Sequence, residues 1–191
     1  AFADDEAENH CTAIQGLSED QKMALAEYYG DQEYVASEQE YDKALDVYAD
    51  GIQVAPQFHK LYGNRAKVYI DLNQPDQALQ DASKCLELAP DYSLAQISRG
   101  IAYGMKQEYD NALADLNAVL EENPDETTAL FNRGLLYYLM KDYENSIADY
   151  EKYLELIPVN ADVLNTIGSC HLRMAEFEEA LDALTQAIAL D

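Results

Sequence analysis

The sequence predicts an all-α solenoid of stacked antiparallel helix pairs, on three observations. Pro56, Pro90, Pro124 and Pro158 follow one another at intervals of 34 residues. Small residues recur at the same period, as Ala66, Gly100, Gly134 and Gly168, and again as Ala44, Ala78, Ala112, Ser146 and Ala180. Between the prolines, apolar residues fall at i, i+3, i+4 and i+7, the spacing that gathers them on one face of a helix. A fixed period of this length marks repeated supersecondary units that bury their faces against neighbours.

The elements follow in order. Five repeats span about 25–58, 59–92, 93–126, 127–160 and 161–191, within a domain of residues 18–191. Each repeat carries two amphipathic stretches. In the fourth, Leu130, Leu135, Leu136 and Tyr137 mark the first, and Tyr143, Ile147, Tyr150 and Leu154 mark the second. The polar pair Lys141-Asp142 turns the chain between them. Proline cannot continue a helix, so it closes each pair. An aromatic opens the second helix at Tyr41, Tyr109, Tyr143 and Phe177 and is expected to fill the wedge beyond the small residues. Pro75 takes that place in the second repeat, where a helix's first turn accepts it, with Asn73 the expected cap. Ser18-Glu19-Asp20-Gln21 reads as a capping box opening the first long helix. Residues 1–17 form an acidic N-terminal extension. Within it, Ala1-Phe2-Ala3 looks like a signal-peptidase site. That favours an exported or periplasmic protein over a cytoplasmic one, although an arbitrary chain boundary gives the same three residues.

These recurring residues carry the tetratricopeptide repeat (TPR) pattern, and the chain resembles that family over about residues 25–191. The resemblance implies a right-handed superhelix whose first helices line a concave peptide-binding groove. On the repeat positions that face such a groove stand Asn64, Lys67, Leu94, Ile97, Ile101, Met105, Phe131, Asn132, Leu135 and Tyr138. Its middle is apolar and its ends are polar. Exposed concave apolar surface marks binding sites. Asn64 and Asn132 each offer an amide's donors and acceptor to a bound backbone. Family members that clamp a chaperone's C-terminal carboxylate use Lys, Asn, Asn, Lys and Arg. Here Tyr29, Glu33, Asn64, Leu94 and Ser98 stand at those positions, so a chaperone carboxylate is not the expected ligand.

Charge narrows the partners. The chain holds 37 acidic and 12 basic residues, a formal net charge of −25. That field opposes nucleic acid and direct membrane binding to anionic lipid, and it favours an apolar or basic protein or peptide partner. No apolar run is long enough for a membrane-spanning helix. The cysteines Cys11, Cys85 and Cys170 form no CxxC pair, and the latter two are expected as buried small hydrophobes. Of the histidines, His10 has only Cys11 beside it, His59 is expected exposed, and His171 is expected packed and hydrogen-bonded. No catalytic, cofactor-binding or metal motif occurs, so the expectation is a non-catalytic interaction adaptor or scaffold without a cofactor. Arg65, Arg99 and Arg133 recur at one repeat position and are expected to bridge acids between repeats. The alternative to a groove binder is a self-assembly module. Leu184, Ala187 and Ile188 of the last helix would then form the self-association edge of a homodimer.

Overall fold

The computed structural model describes Ser18, Gln21, Ala24 and residues 38–190. Every regular element among the described residues is a helix: α1 (Glu38–Val54), α2 (His59–Asp71), α3 (Pro75–Leu88), α4 (Ser93–Met105), α5 (Tyr109–Glu122), α6 (Thr127–Met140), α7 (Tyr143–Leu156), α8 (Ala161–Met174) and α9 (Phe177–Leu190). The described residues fall into two compact units that divide within α4, between Ser98 and Arg99. In the first, α2 packs on α1 and α3; in the second, α6, α7, α8 and α9 each pack on the next, and α5 packs on α6.

The periodic residues explain the elements. Pro56, Pro90, Pro124 and Pro158 lie between helix pairs, in the short connections after α1, α3, α5 and α7. Within pairs the turn recurs just as regularly. Asn73, Gln107, Lys141 and Ala175 adopt positive φ of 56°, 63°, 65° and 62°. At each, the next residue's N–H reaches back five residues, as from Asp142 to the Tyr137 carbonyl at 2.9 Å and from Glu176 to that of His171 at 2.9 Å. This left-handed residue with its backward hydrogen bond stops a helix cleanly. Asn73 therefore ends α2 instead of capping α3, whose N-cap is Gln74 and makes no side-chain cap bond. Pro75 opens α3 as expected. Ser18 and Gln21 form the reciprocal capping box: the Gln21 N–H donates to Ser18 Oγ at 3.3 Å and the Ser18 N–H donates to Gln21 Oε1 at 2.9 Å. The extension 1–17, with Ala1-Phe2-Ala3, His10 and Cys11, lies outside the described residues, as do Tyr29 and Glu33.

Ala44, Ala78, Ala112, Ser146 and Ala180 are all fully or almost fully buried, so the second helix of each repeat turns its small residue inward. The one hydroxyl in that series is satisfied, since Ser146 Oγ donates to the Gly134 carbonyl at 2.8 Å. Cys85 and Cys170 are buried. The recurrent arginines pair within a repeat, not between repeats. Each reaches the aspartate 16 residues on, Arg65 to Asp81 and Arg99 to Asp115 and Arg133 to Asp149, through Nε and Nη2. Among the described residues, Arg133 alone adds a bond to the preceding repeat, from Nη1 to Asn117 Oδ1 at 2.7 Å. Phe177 departs from its series: it stands 67% exposed and fills no wedge.

Candidate functional site

In the first compact unit the groove positions divide by depth. Ile97 is buried, Asn64 and Leu94 are half-buried, and Lys67 is exposed. Ser98 is buried beside Ile97's turn of α4, so it offers nothing to a ligand. His59 is half-buried, its ring edge-on to Tyr92 at 4.9 Å, and burial lowers its pKa.

In the second unit, Ile101 and Met105 are half-buried on α4. One open surface of this unit is a face of α6. Along it Thr128, Leu135 and Leu139 are exposed, and Phe131, Asn132 and Tyr138 are half-buried between them. These positions are three or four apart, so they stack on one side of the helix. Leu135 and Leu139 present 38% and 48% of their surface to solvent. At the N-terminal end of this face lies a hollow of about 320 Å³ lined by Thr127, Thr128, Phe131, Asn132, Tyr153 and Asn160.

Three elements shape that hollow. Phe131 is held from α7 by Tyr150 and Tyr153, with ring centroids 5.8 and 5.7 Å away. Asn160 caps α8, its Oδ1 accepting from the Val163 N–H at 3.0 Å, while its Nδ2 donates to the Tyr153 hydroxyl at 3.3 Å. Asn132 donates from Nδ2 to the Thr128 carbonyl at 2.7 Å. Its Oδ1 accepts no hydrogen bond among the described residues. The hollow thus offers an aromatic wall, an acceptor and two threonine hydroxyls, but no cation. Chemically it suits an apolar side chain on a backbone that donates to Asn132.

Phe131 and Asn132 are brought together there, whereas Leu135 and Tyr138 lie further along α6, with Tyr138 against Tyr143 at 6.0 Å. Tyr153 and Asn160 join the site without having been singled out from the sequence. The signal for Asn160 was present: Asn two residues after Pro158 and directly before a helical stretch is a capping position.

A second hollow, of about 190 Å³, is lined by Asn117, Leu120, Glu121, Pro124, Leu130, Arg133 and Lys152. Its cations are already engaged, Arg133 by Asp149 and Asn117, and Lys152 by Asp125 at 3.2 Å. Among the described residues no three His, Cys, Asp or Glu side chains cluster to hold a metal. His171 Nδ1 lies 2.7 Å from Glu176 Oε2, a structural pairing at the end of α8. No described helix is long and apolar enough to cross a membrane.

On α9, Ala187 is buried and Leu184 is half-buried, with its Cγ 2.7 Å from where a Cβ on Gly168 would stand. Both face the chain's own α8. Ile188 is 74% exposed and shares its stripe with Phe177 and Leu181.

The profile of the tetratricopeptide repeat matches residues 59–92, and a second profile of the same description matches residues 125–191. Together they cover more than half of the chain. Among solved structures the chain is similar to a crystal structure of MamA, at 22% identity and a TM-score of 0.72, over 80% of this chain and 89% of that one. It is similar also to MamA from Desulfovibrio magneticus RS-1, at 20% identity and a TM-score of 0.72, over 79% and 85% of the two chains. MamA AMB-1 matches at 22% identity and a TM-score of 0.71, over 89% and 98%. At these identities the likeness is one of fold.

Proposed function

Because this chain belongs to the tetratricopeptide repeat family, an interaction and scaffold fold, we propose that it is a non-catalytic adaptor that binds a protein segment on the open face of α6. The observation that carries the reading is the continuity of that face. Exposed Leu135 and Leu139 run towards the aromatic hollow at Phe131 and Tyr153, with the Asn132 acceptor beside it. Apolar surface of this kind gains free energy when a partner covers it, and a polar group at its edge sets the partner's register. A segment with one apolar side chain for the hollow and others along the helix fits the chemistry. The net charge of −25 speeds the approach of a basic partner and makes its association rate fall with salt.

The test pairs wild type with Leu135→Arg in affinity capture from native lysate, with circular dichroism confirming the fold of both. Capture by wild type that is lost in the variant supports the α6 face. Equal capture by both sinks it.

A further inference from the structure

The hollow beside Phe131 sits at the junction of the fourth and fifth repeats, between α6, α7 and the start of α8. Its make-up is peculiar to this junction. Tyr153 occupies a position that other repeats give to Gly51, Cys85, Val119 and Ala187, all of them buried. At the corresponding corner of the second and third repeats, Gly63, Cys85 and Tyr92 stand in place of Phe131, Tyr153 and Asn160. That earlier corner plugs itself. The Tyr92 ring lies over Gly63, its Cε1 2.8 Å from where a Cβ would stand, and packs on the cluster that holds Cys85. At the later corner the rings belong to the walls. Asn160 brings no ring of its own, and its amide holds the Tyr153 hydroxyl at 3.3 Å. The corner keeps a hollow of about 320 Å³ with aromatic walls and no plug.

Its rim is acidic. Glu126 directly precedes the two lining threonines, and its Oε1 accepts from the Thr128 N–H at 3.2 Å. Asp162 lies just beyond Asn160, exposed in the first turn of α8. Neither carboxylate has an ion-pair partner among the described residues, and no cation lines the hollow. Helix N-termini favour anions, and two meet here, but both are already capped, α6 by Glu126 and α8 by Asn160. The charge missing from this rim is therefore positive.

Resting on the α6 reading, we infer that this corner is the specificity pocket of that face. It takes a Phe, Tyr or Trp side chain of the partner, next to a Lys or Arg that meets Glu126 and Asp162. Rings pair edge-to-face or offset at centroid separations of about 4.5–7 Å. Phe131 already meets Tyr150 and Tyr153 within that range, so a partner's ring extends the cluster. It does for this corner what Tyr92 does for the earlier one.

In the experiment, a phage-displayed library of random peptides about 10 residues long is panned on the full chain. When extended, such a peptide outreaches the about 17 Å from Thr128 to Leu139. Enriched peptides are expected to pair an aromatic residue with a neighbouring Lys or Arg. The strongest is synthesised with a fluorescent label and its affinity read by anisotropy, with circular dichroism confirming the fold of each variant. Asn160→Tyr restores the plug without changing charge and is expected to cost about tenfold or more. Glu126→Gln/Asp162→Asn keeps the acceptor that caps α6. It is expected to cost about three- to tenfold and to flatten the loss of affinity between about 50 and about 300 mM NaCl. Enriched peptides without the aromatic–basic pair overturn the inference; if Leu135→Arg still releases them, the α6 face stands and only the pocket's specificity falls. Aromatic–basic peptides that bind both pocket variants as tightly as wild type overturn it equally. Loss in both pocket variants but not in Leu135→Arg supports the pocket and sinks the longer face.

Discussion

Arg133 and Asp149 are joined by two parallel hydrogen bonds, Nε to Oδ2 at 2.8 Å and Nη2 to Oδ1 at 2.6 Å, and one repeat later the same two positions hold Ile167 and Ala183. Ile167 and Ala183 are both buried in one core cluster. The chain thus closes the same helix–helix junction in two ways, with a forked ion pair in the middle repeats and with apolar packing in the last. Burying a charge pair costs about as much desolvation as its attraction returns, while orphaning one partner is expensive.

Copying the last repeat into the fourth tests that equivalence. Arg133→Ile alone leaves the Asp149 carboxylate buried without its partner and is expected to cost about 3 kcal/mol. Arg133→Ile/Asp149→Ala is expected to cost about 1 kcal/mol or less. Urea denaturation of both single variants and the double gives the coupling. A double variant as unstable as the two singles summed would mean that the pair does not act as a unit.

Ala175, like Gln107 and Lys141, adopts the left-handed conformation without the local hydrogen bonding that eases an asparagine such as Asn73 into it. Asparagine tolerates this conformation through local hydrogen bonding, whereas an alanine Cβ crowds the following carbonyl. Ala175→Gly is expected to stabilise by about 0.5–1 kcal/mol, the strain relieved less the entropy that glycine adds to the unfolded chain. Asn73→Gly is expected to change stability by less than about 0.5 kcal/mol. Denaturation midpoints measured side by side decide it, and a loss on Ala175→Gly would remove strain as the explanation.

What was legible in the sequence was whatever repeats. The prolines between pairs, the buried small residue of each second helix and the Ser18–Gln21 capping box all stand where the spacing puts them. Less legible was which of two adjacent apolar stripes a helix turns inward. On α9 the stripes through Ala187 and through Ile188 are one residue apart, about 100° around the axis, and periodicity alone weights them equally. Tertiary context chooses: Gly168 leaves room that draws Leu184 inward, and Leu181 and Phe177 are left outside. The α6 face was legible through Phe131 and Asn132, because the repeat pattern points to first helices. Tyr153 and Asn160 reach the same hollow from a second helix and a turn, which no pattern of first-helix positions includes.

Glycine at the helix contacts carries opposite expectations at two positions. A Cβ on Gly168 would meet Leu184 Cγ at 2.7 Å and the Ala180 carbonyl oxygen at 3.4 Å. Cγ is the branch point, so Leu184 cannot clear the space by turning a methyl. Overpacking then outweighs the helix propensity gained, and Gly168→Ala is expected to cost about 1 kcal/mol net. At Gly104 the Cβ would crowd a methyl end, Leu136 Cδ2, at 2.8 Å, while the branch point Cγ stays at an ordinary 3.9 Å. Gly104→Ala is expected to be neutral or to stabilise by up to about 0.5 kcal/mol. Urea denaturation of both variants checks the sign, and two equal losses would sink the distinction.

Alkaline pH should expose the buried thiol. Cys85 is fully buried against Tyr62, Leu86 and Ala95, and this burial pushes its pKa from 9.0 up to about 11. Between those two values the unfolded chain has lost the thiol proton and the folded chain has kept it. Unfolding then releases a proton, so stability falls as pH rises through that window, and below it this group contributes no pH dependence. Burial raises Cys170 and Tyr150 in the same direction, so they add to the alkaline loss with the same sign. Cys85→Ala is expected to shift stability at neutral pH by a roughly constant amount and to flatten the fall above about pH 9 by close to one proton. Denaturation free energies for wild type and variant, at half-unit steps from about pH 8 to about pH 11, give the two slopes. Parallel profiles would mean that the Cys85 thiol is not the group that stays protonated in the fold.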